Sequence, residues 1–488
     1  MHLACFGVSE RIKYIKSLPG CEALAGRQNI PCCLLQGTLQ YAGEIEMANL
    51  AINGGEKTVP DGILTPWPII TDEDKKMVME CMESGIFTGP YGPQVRGAET
   101  EFAEYLGVKH VLMVNSGTAA LHMAVAVAGI GPGDEVIVPS FTFLATALAV
   151  LHNNAVPVFV DIEPRAFMLD PSKIEGRITS RTKAIIPVHL HGQCADMDAI
   201  NEIAKKHNLI VIEDTAQAHG AKYKGKLAGT LGDMSIFSVQ ASKNLASGEG
   251  GFFVTNNDEM ANFANRMRLF GQDASFEDEK LIDLNWPIDR FRGFESVIMG
   301  YQYMTGELPA AMTRSQLKSL DEKNANSRAN GEYLSDLIKD TPGLEPPFVP
   351  EYNETVYHKF RIRLDPKAAG IDVPSVEFRD KVLKAIQVEG VESCLWEVLP
   401  LPLQYMFKNH VGYGSKCPWA CKLRDEPAPE TAPEDYEKAK MLLDNSLVIG
   451  SHSFPMIAQK REVMDHYAAA IKKVFDNLDE LFQSLGRN

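Results

Sequence analysis

Seven short apolar runs constrain this chain more than any other feature of its 488 residues. They are VLMV (111–114), EVIVP (135–139), PVFVD (157–161), AIIPV (184–188), IVIED (210–214), SIFS (235–238) and GFFVT (251–255). They are rich in β-branched and aromatic residues, and the spacers between them leave room for helices. A strand with one face in water alternates apolar and polar residues, whereas a continuous apolar run is buried on both faces. The series therefore predicts an α/β domain built on a mostly parallel seven-stranded sheet flanked by helices.

Around that rhythm the chain divides into three parts. Residues 1–60 read as an N-terminal extension, dispensable up to Met47, because residues 1–46 carry no sustained periodicity. Residues 61–330 form the large domain. It opens with TDEDKKMVMECME (71–83), which predicts a helix with Thr71 as N-cap, closed by Gly85 and followed by the turn-rich GPYGP. Residues 331–488 read as a smaller C-terminal α+β domain. It holds a helix (NGEYLSDLIKD), a proline-rich link, a strand-like YHKFRIRL, a loop-rich stretch through Pro433 and one final amphipathic helix, MDHYAAAIKKVFDNLDELFQSL.

Composition narrows the partners. The formal net charge of −16 repels polyphosphate and anionic lipid, so neither nucleic acid nor a membrane surface is expected. The longest apolar stretch, Phe141 to Leu151, is interrupted by Thr142 and Thr146 and is too short to span a bilayer. Nine scattered cysteines, with Cys417 and Cys421 as the one pair-like spacing, point to reduced thiols and to no metal site. The opening MHLACFGVSERIKYIK is broken by charge too early for a secretory core, which makes the cytoplasm the expected location.

In open α/β sheets chemistry gathers at the carboxyl ends of the strands. After VLMV, the loop Asn115-Ser116-Gly117-Thr118-Ala119-Ala120 opens a helix; it is either a phosphate seat or an ordinary strand-to-helix turn. After IVIED, Glu213 and Asp214 stand together where a carboxylate needs a cationic partner. After SIFS, Lys243 lies in SVQASKNLASGEGG, between small residues and ahead of a glycine-rich turn. A lone lysine is ordinarily a solvated one; the constellation argues for more.

The ordered motifs NSGTAAL, PSFTFLAT, VDIEPRAFMLDP, KAIIPVHLHGQCADMD, VIEDTAQAHGA and SVQASKNLASGEGG resemble the DegT/DnrJ/EryC1/StrS aminotransferases. These are pyridoxal-phosphate enzymes of the aspartate-aminotransferase fold that act on keto sugars and keto cyclitols. The resemblance runs from about Leu50 to Leu481, and LAINGGEKTVP and GYGSKCPW are similar to the branch of glutamine-dependent scyllo-inosose aminotransferases and aminohydroxybenzoate synthases. It implies transfer of an amino group from L-glutamate or L-glutamine, with pyridoxal 5′-phosphate as cofactor and its pyridoxamine form as intermediate.

The resemblance also implies roles. Lys243 matches the lysine that forms the Schiff base and then shuttles the proton. Asp214 matches the aspartate facing the pyridine nitrogen, where a carboxylate at about 4 Å in an effective dielectric near 20 is worth roughly 4 kcal/mol. Phe143 is similar to the residue stacked on the ring, or else is a core phenylalanine beside Phe141. Thr118, Ala119 and Ser238 resemble phosphate contacts. Gln217 resembles the residue near the ring's phenolic oxygen, or satisfies backbone groups; His219 and Gln240 either line the substrate pocket or are structural.

The family's GYNYRM-type segment reaches the cofactor phosphate of the neighbouring subunit, which implies a homodimer with shared active sites. Here it reads Gly300-Tyr301-Gln302-Tyr303-Met304. Gln302 can still donate from its amide, but Met304 offers no guanidinium for a carboxylate or phosphate. Lys243 argues against the sugar 3-dehydratases of the family, in which histidine replaces the lysine. Another pyridoxal-phosphate reaction, such as an elimination, and a non-catalytic regulator are the alternatives.

Overall fold

The computed structural model describes residues 49–88, 92–272, 296–414, 416–424, 427–429 and 432–483, so residues 1–46 and most of the GPYGP turn lie outside the described residues. Thr71 caps α1 (Asp72–Ser84) as expected: its hydroxyl accepts from the Asp74 N–H, and the Asp74 carboxylate accepts from the Thr71 N–H. Gly85 closes the helix at φ 69°, a left-handed position that suits a residue without Cβ. The end of the turn-rich segment instead starts α2 (Pro93–Leu106), with Pro93 at the first helical position, where its missing N–H costs no hydrogen bond.

Each of the seven apolar runs falls on a strand, though AIIPV only by its first two residues: β1 (His110–Val114), β2 (Glu135–Pro139), β3 (Val156–Val160), β4 (Thr182–Ile185), β5 (Ile210–Asp214), β6 (Met234–Ser238) and β7 (Gly251–Thr255). They form one sheet in the order β1-β7-β6-β5-β4-β2-β3. β7 alone runs against its neighbours, and the remaining pairings are parallel. Adjacent strand residues feed opposite cores: Val136, Val138 and Ile212 pack with α3 (Gly117–Val127) and α4 (Ala145–His152), while Ile137 and Val211 pack with α5 (Met197–His207). That two-sided burial is why the runs carry no polar alternation.

The register places the site. Val114 and Ser238 both stand opposite Gly251, so β7 begins where β1 and β6 end. α6 (Asp258–Arg268) and α7 (Glu307–Leu317) follow, and α8 (Leu320–Ile338) carries the chain into the C-terminal layer. Leu320 packs in the large-domain core with Phe102 and Phe237, whereas Leu334 and Ile338 pack in the C-terminal core. Residue 330, where the sequence reading divides the chain, thus lies inside a continuous helix.

The C-terminal layer is an antiparallel sheet in the order β8-β9-β11-β10, with β8 (Leu344–Glu345), β9 (Phe360–Leu364), β10 (Ser393–Cys394) and β11 (Ser446–Ile449), backed by α9 (Ser375–Val388) and α10 (Arg461–Asp476). The single final helix expected from the sequence is broken after Asp476. The Asn477 amide donates to the Lys473 carbonyl at 2.7 Å, and its oxygen accepts from Asn49 at 3.0 Å. A side chain that binds the helix's own carbonyl competes with the backbone ladder. Leu50 and Val59, within the segment assigned to the extension, are buried in this layer. Beside them the buried Glu389 accepts from the N–H groups of Ala51 and Thr58 and pairs with Lys473.

Candidate active site

The two strand-end carboxylates part company on folding. Glu213 is fully buried and accepts from the N–H groups of Gly229, Leu231 and Gly232, and from His189 Nε2 at 2.8 Å. His189 Nδ1 accepts from the Ala195 N–H, which leaves Nε2 as the donor. Glu213 is therefore saturated, and its work is structural. Asp214, one residue on, is buried with two neutral donors, Thr146 Oγ1 at 2.8 Å and the Ala216 N–H at 3.2 Å. Burial pushes its carboxyl above the ordinary range, against the help of Thr146 and Ala216. Among the described residues no cation lies within ion-pair distance of Asp214.

Lys243 sits in the loop between β6 and β7. The loop is shaped by its own polar groups: Gln240 Oε1 accepts from the N–H and hydroxyl of Ser242, the Lys243 N–H donates to the Gln240 carbonyl, and the Ala241 N–H donates to Gly248. Gly248, at φ 97°, turns the chain back toward β7. Gln240, expected either to line the pocket or to be structural, is spent on this turn. Among the described residues the Lys243 ammonium has no hydrogen-bond or ion-pair partner. Burial lowers its pKa to about 8, with Asp214 opposing the shift. About a tenth of the amine is then neutral at pH 7, where an ordinary lysine is neutral to less than one part in a thousand.

At the start of α3, Ser116 is the N-cap, and its hydroxyl accepts from the Ala119 N–H at 3.0 Å. That bond takes the donor which the sequence assigned to phosphate and leaves Gly117 and Thr118 as first-turn N–H groups without intrahelical acceptors. Gly117 is obligatory: a Cβ there would stand 2.8 Å from the Ser238 Cβ. The close approach puts the Ser238 side chain beside the positive end of the helix, where anions bind.

Phe143 is 50% exposed in the loop ahead of α4, whereas Phe141 is buried, so Phe143 is not a core residue. Gln217 is buried, and its oxygen accepts from the His191 N–H at 3.2 Å; of its two sequence-level readings, the backbone contact is the one seen. His219 packs on Phe237 at 5.4 Å, and burial together with the Lys243 charge holds it neutral, with a pKa near 3. Gln302 is exposed; its side-chain oxygen accepts from the Met304 N–H, and its carbonyl accepts from Asn115 Nδ2 at 3.3 Å. The Gln302 segment thus rests on the loop that opens α3. Sequence reading missed Thr146, which was noted only as a break in an apolar run. It also missed Asn244, His358 and Lys359, which join the site from both domains: His358 Nδ1 meets Asn244 Oδ1 at 3.1 Å beside Lys243.

Taken together, the donor set suits a ligand that carries a cation for Asp214, an electrophilic carbonyl for Lys243 and an anion for the first turn of α3. Pyridoxal phosphate has all three. The fold and the site define a cofactor-dependent enzyme with its chemistry at the carboxyl edge of a mostly parallel sheet. The chain belongs to the DegT/DnrJ/EryC1/StrS aminotransferase family, whose model matches residues 68–427. It is 39% identical over 327 residues to the GDP-perosamine synthase of Caulobacter vibrioides, covering 67% of this chain and 82% of that one. It is 37% identical over 329 residues to the L-glutamine:2-deoxy-scyllo-inosose aminotransferase of Streptomyces lividus, covering 65% and 74% respectively. The crystallised aminotransferase from Psychrobacter cryohalolentis superposes with a TM-score of 0.74 at 28% identity, covering 85% of this chain and all of that one.

Proposed function

We propose that this enzyme transfers an amino group from L-glutamine or L-glutamate to a keto sugar or keto cyclitol. The observation that carries the reading is that, among the described residues, neither the buried Asp214 nor Lys243, whose pKa is lowered, has an ion-pair partner. Pyridoxal phosphate, when bound, supplies an electron sink for the negative charge that develops at the carbon losing its proton. Lys243 would hold the cofactor and would move the proton of the reacting carbon; its lowered pKa suits both tasks near neutrality. Asp214, oriented by Thr146, would keep a proton on the ring nitrogen. Thr118, Ser238 and the first turn of α3 would hold the phosphate, Phe143 would stack on the ring, and Gln217 would meet the cofactor with the amide nitrogen that its bond to His191 leaves available.

The working unit in this reading is a cytoplasmic homodimer in which Gln302 of each chain reaches the phosphate of the other, a reciprocal arrangement natural to a two-fold axis. Its amide nitrogen supports the role, because the side-chain oxygen is the atom turned back to Met304. The test is a cofactor spectrum of the purified protein during separate additions of L-glutamine and L-glutamate. Loss of the lysine-bound cofactor band with a matching rise of pyridoxamine phosphate is expected with one of them; no response to either overturns the reading.

A further inference from the structure

The C-terminal domain presents a cationic wall to the site that the roles above leave unused. Lys359 stands at the entry to β9, its N–H donating to the His191 carbonyl at 3.3 Å. Arg361, two residues on and therefore on the same face of the strand, is buried and donates to the Trp396 carbonyl and to Ser446 Oγ. Both cations lie near the Trp396 ring, 5.2 and 5.9 Å from its centroid. Arg363, the next in the stripe, is paired with Glu345. Lys359 has no ion pair among the described residues, and Arg361 Nε is buried without a hydrogen-bond partner. The carboxylate that acts on both, Glu397, is within ion-pair distance of neither. The wall therefore keeps positive charge without an ion pair, half-buried at Lys359 and buried at Arg361, which is costly unless an anion arrives. Burial, with Lys243 and Arg361 adding to it and Cys394 and Glu397 opposing it, draws the Lys359 pKa down to about 8, and the contact of the neighbouring His358 with Asn244 sets Lys359 beside the Lys243 loop.

We propose that Lys359, backed by Arg361 and Trp396, receives the α-carboxylate of the amino donor, an assignment that rests on the aminotransferase reading above. The carboxylate is bonded to the very carbon whose proton Lys243 moves, so its partner has to stand close to Lys243; a distant phosphate or ring hydroxyl of the keto substrate imposes no such condition. The segment from Gly300 to Met304 supplies no guanidinium for that carboxylate, because Met304 occupies the position. The C-terminal wall supplies the cation that this segment lacks.

The test uses the holoenzyme and the donor alone, reading cofactor absorbance against concentration for L-glutamine and for 4-aminobutanamide, which is glutamine without its α-carboxylate. L-glutamate and 4-aminobutanoate form the parallel pair. Lys359→Met is expected to weaken binding of the responding amino acid by about 10- to 100-fold, as for loss of a hydrogen bond between charged groups. The decarboxylated amine should change by less than about twofold, and Lys359→Arg should recover most of the loss. Lys359→Gln gives the same comparison if the methionine variant does not fold. Wild-type discrimination in a folded, cofactor-loaded Lys359→Met protein overturns the proposal alone; a wild-type enzyme that answers neither amino acid overturns the aminotransferase reading and the proposal with it.

Discussion

On the large-domain side of the site Glu213 meets three backbone N–H groups and a histidine, and the Lys243 loop binds its own polar groups in turn. Across from it, Lys359 and Arg361, just before and within a strand more than a hundred residues later, have no ion pair among the described residues. In the first wall, hydrogen bonds within the large domain hold Glu213 and the Lys243 loop before any ligand arrives. The second is finished only by what binds. A saturated wall holds geometry, and an unsaturated one confers selectivity, because its buried charge penalises every ligand that lacks the matching anion.

The largest expected effect breaks the first wall at its reserved lysine. Lys243→Ala should lower turnover by about three orders of magnitude or more while the protein remains folded, since no hydrogen bond to its side chain is lost. Borohydride reduction of the wild type followed by peptide mapping should place the pyridoxyl group on the peptide that contains Lys243; an adduct elsewhere removes the assignment. Because the folded lysine titrates near 8, capture of pyridoxal phosphate by the apoenzyme should quicken about tenfold per pH unit below that value and level off above it.

Asp214→Asn sharpens the comparison by separating function from stability. Turnover should fall by roughly a thousandfold, the equivalent of about 4 kcal/mol of electrostatic support for the ring proton. The folded pKa of Asp214 is raised by burial, so in the apoprotein its ionisation opposes folding, and stability is lost as pH rises through the folded pKa. The asparagine apoprotein should therefore melt higher than the wild type at pH 7 and lack that downward step, which a pair of thermal melts across the carboxylate range measures. Equal melting curves together with normal turnover contradict both roles.

The smallest effect is expected at the N-terminus. A chain starting at Met47 should retain solubility, cofactor binding and activity. One starting at Gly62 should melt markedly lower, because it leaves Glu389 buried without the N–H groups of Ala51 and Thr58 and empties the Leu50 and Val59 positions of the C-terminal core. Equal melting of the two trimmed chains would show that the C-terminal wall does not depend on this strap.

The seven strands were legible in the chain because burial on both faces writes itself into consecutive residues, and the Thr71 cap because its partner Asp74 is three residues away. Asp214 stood out as a carboxylate closing such a run, whereas the role expected of Lys243, five residues beyond its strand, came from the motif around it and its resemblance to the family's lysine. Other features depended on neighbours far away in sequence. Ala119 turned to a local hydrogen bond that competes with the expected phosphate contact, Gln240 took the structural one of its two readings, and α8 ran through the expected domain boundary because its two ends pack in different cores. Asn477 broke the final helix with the help of Asn49, more than four hundred residues earlier. The separation of Glu213 from Asp214, and of Lys359 from the many solvated lysines of an acidic chain, has the same origin: a charged side chain acquires its meaning from what the fold brings within a few ångströms of it, and periodicity along the chain carries no record of that distance.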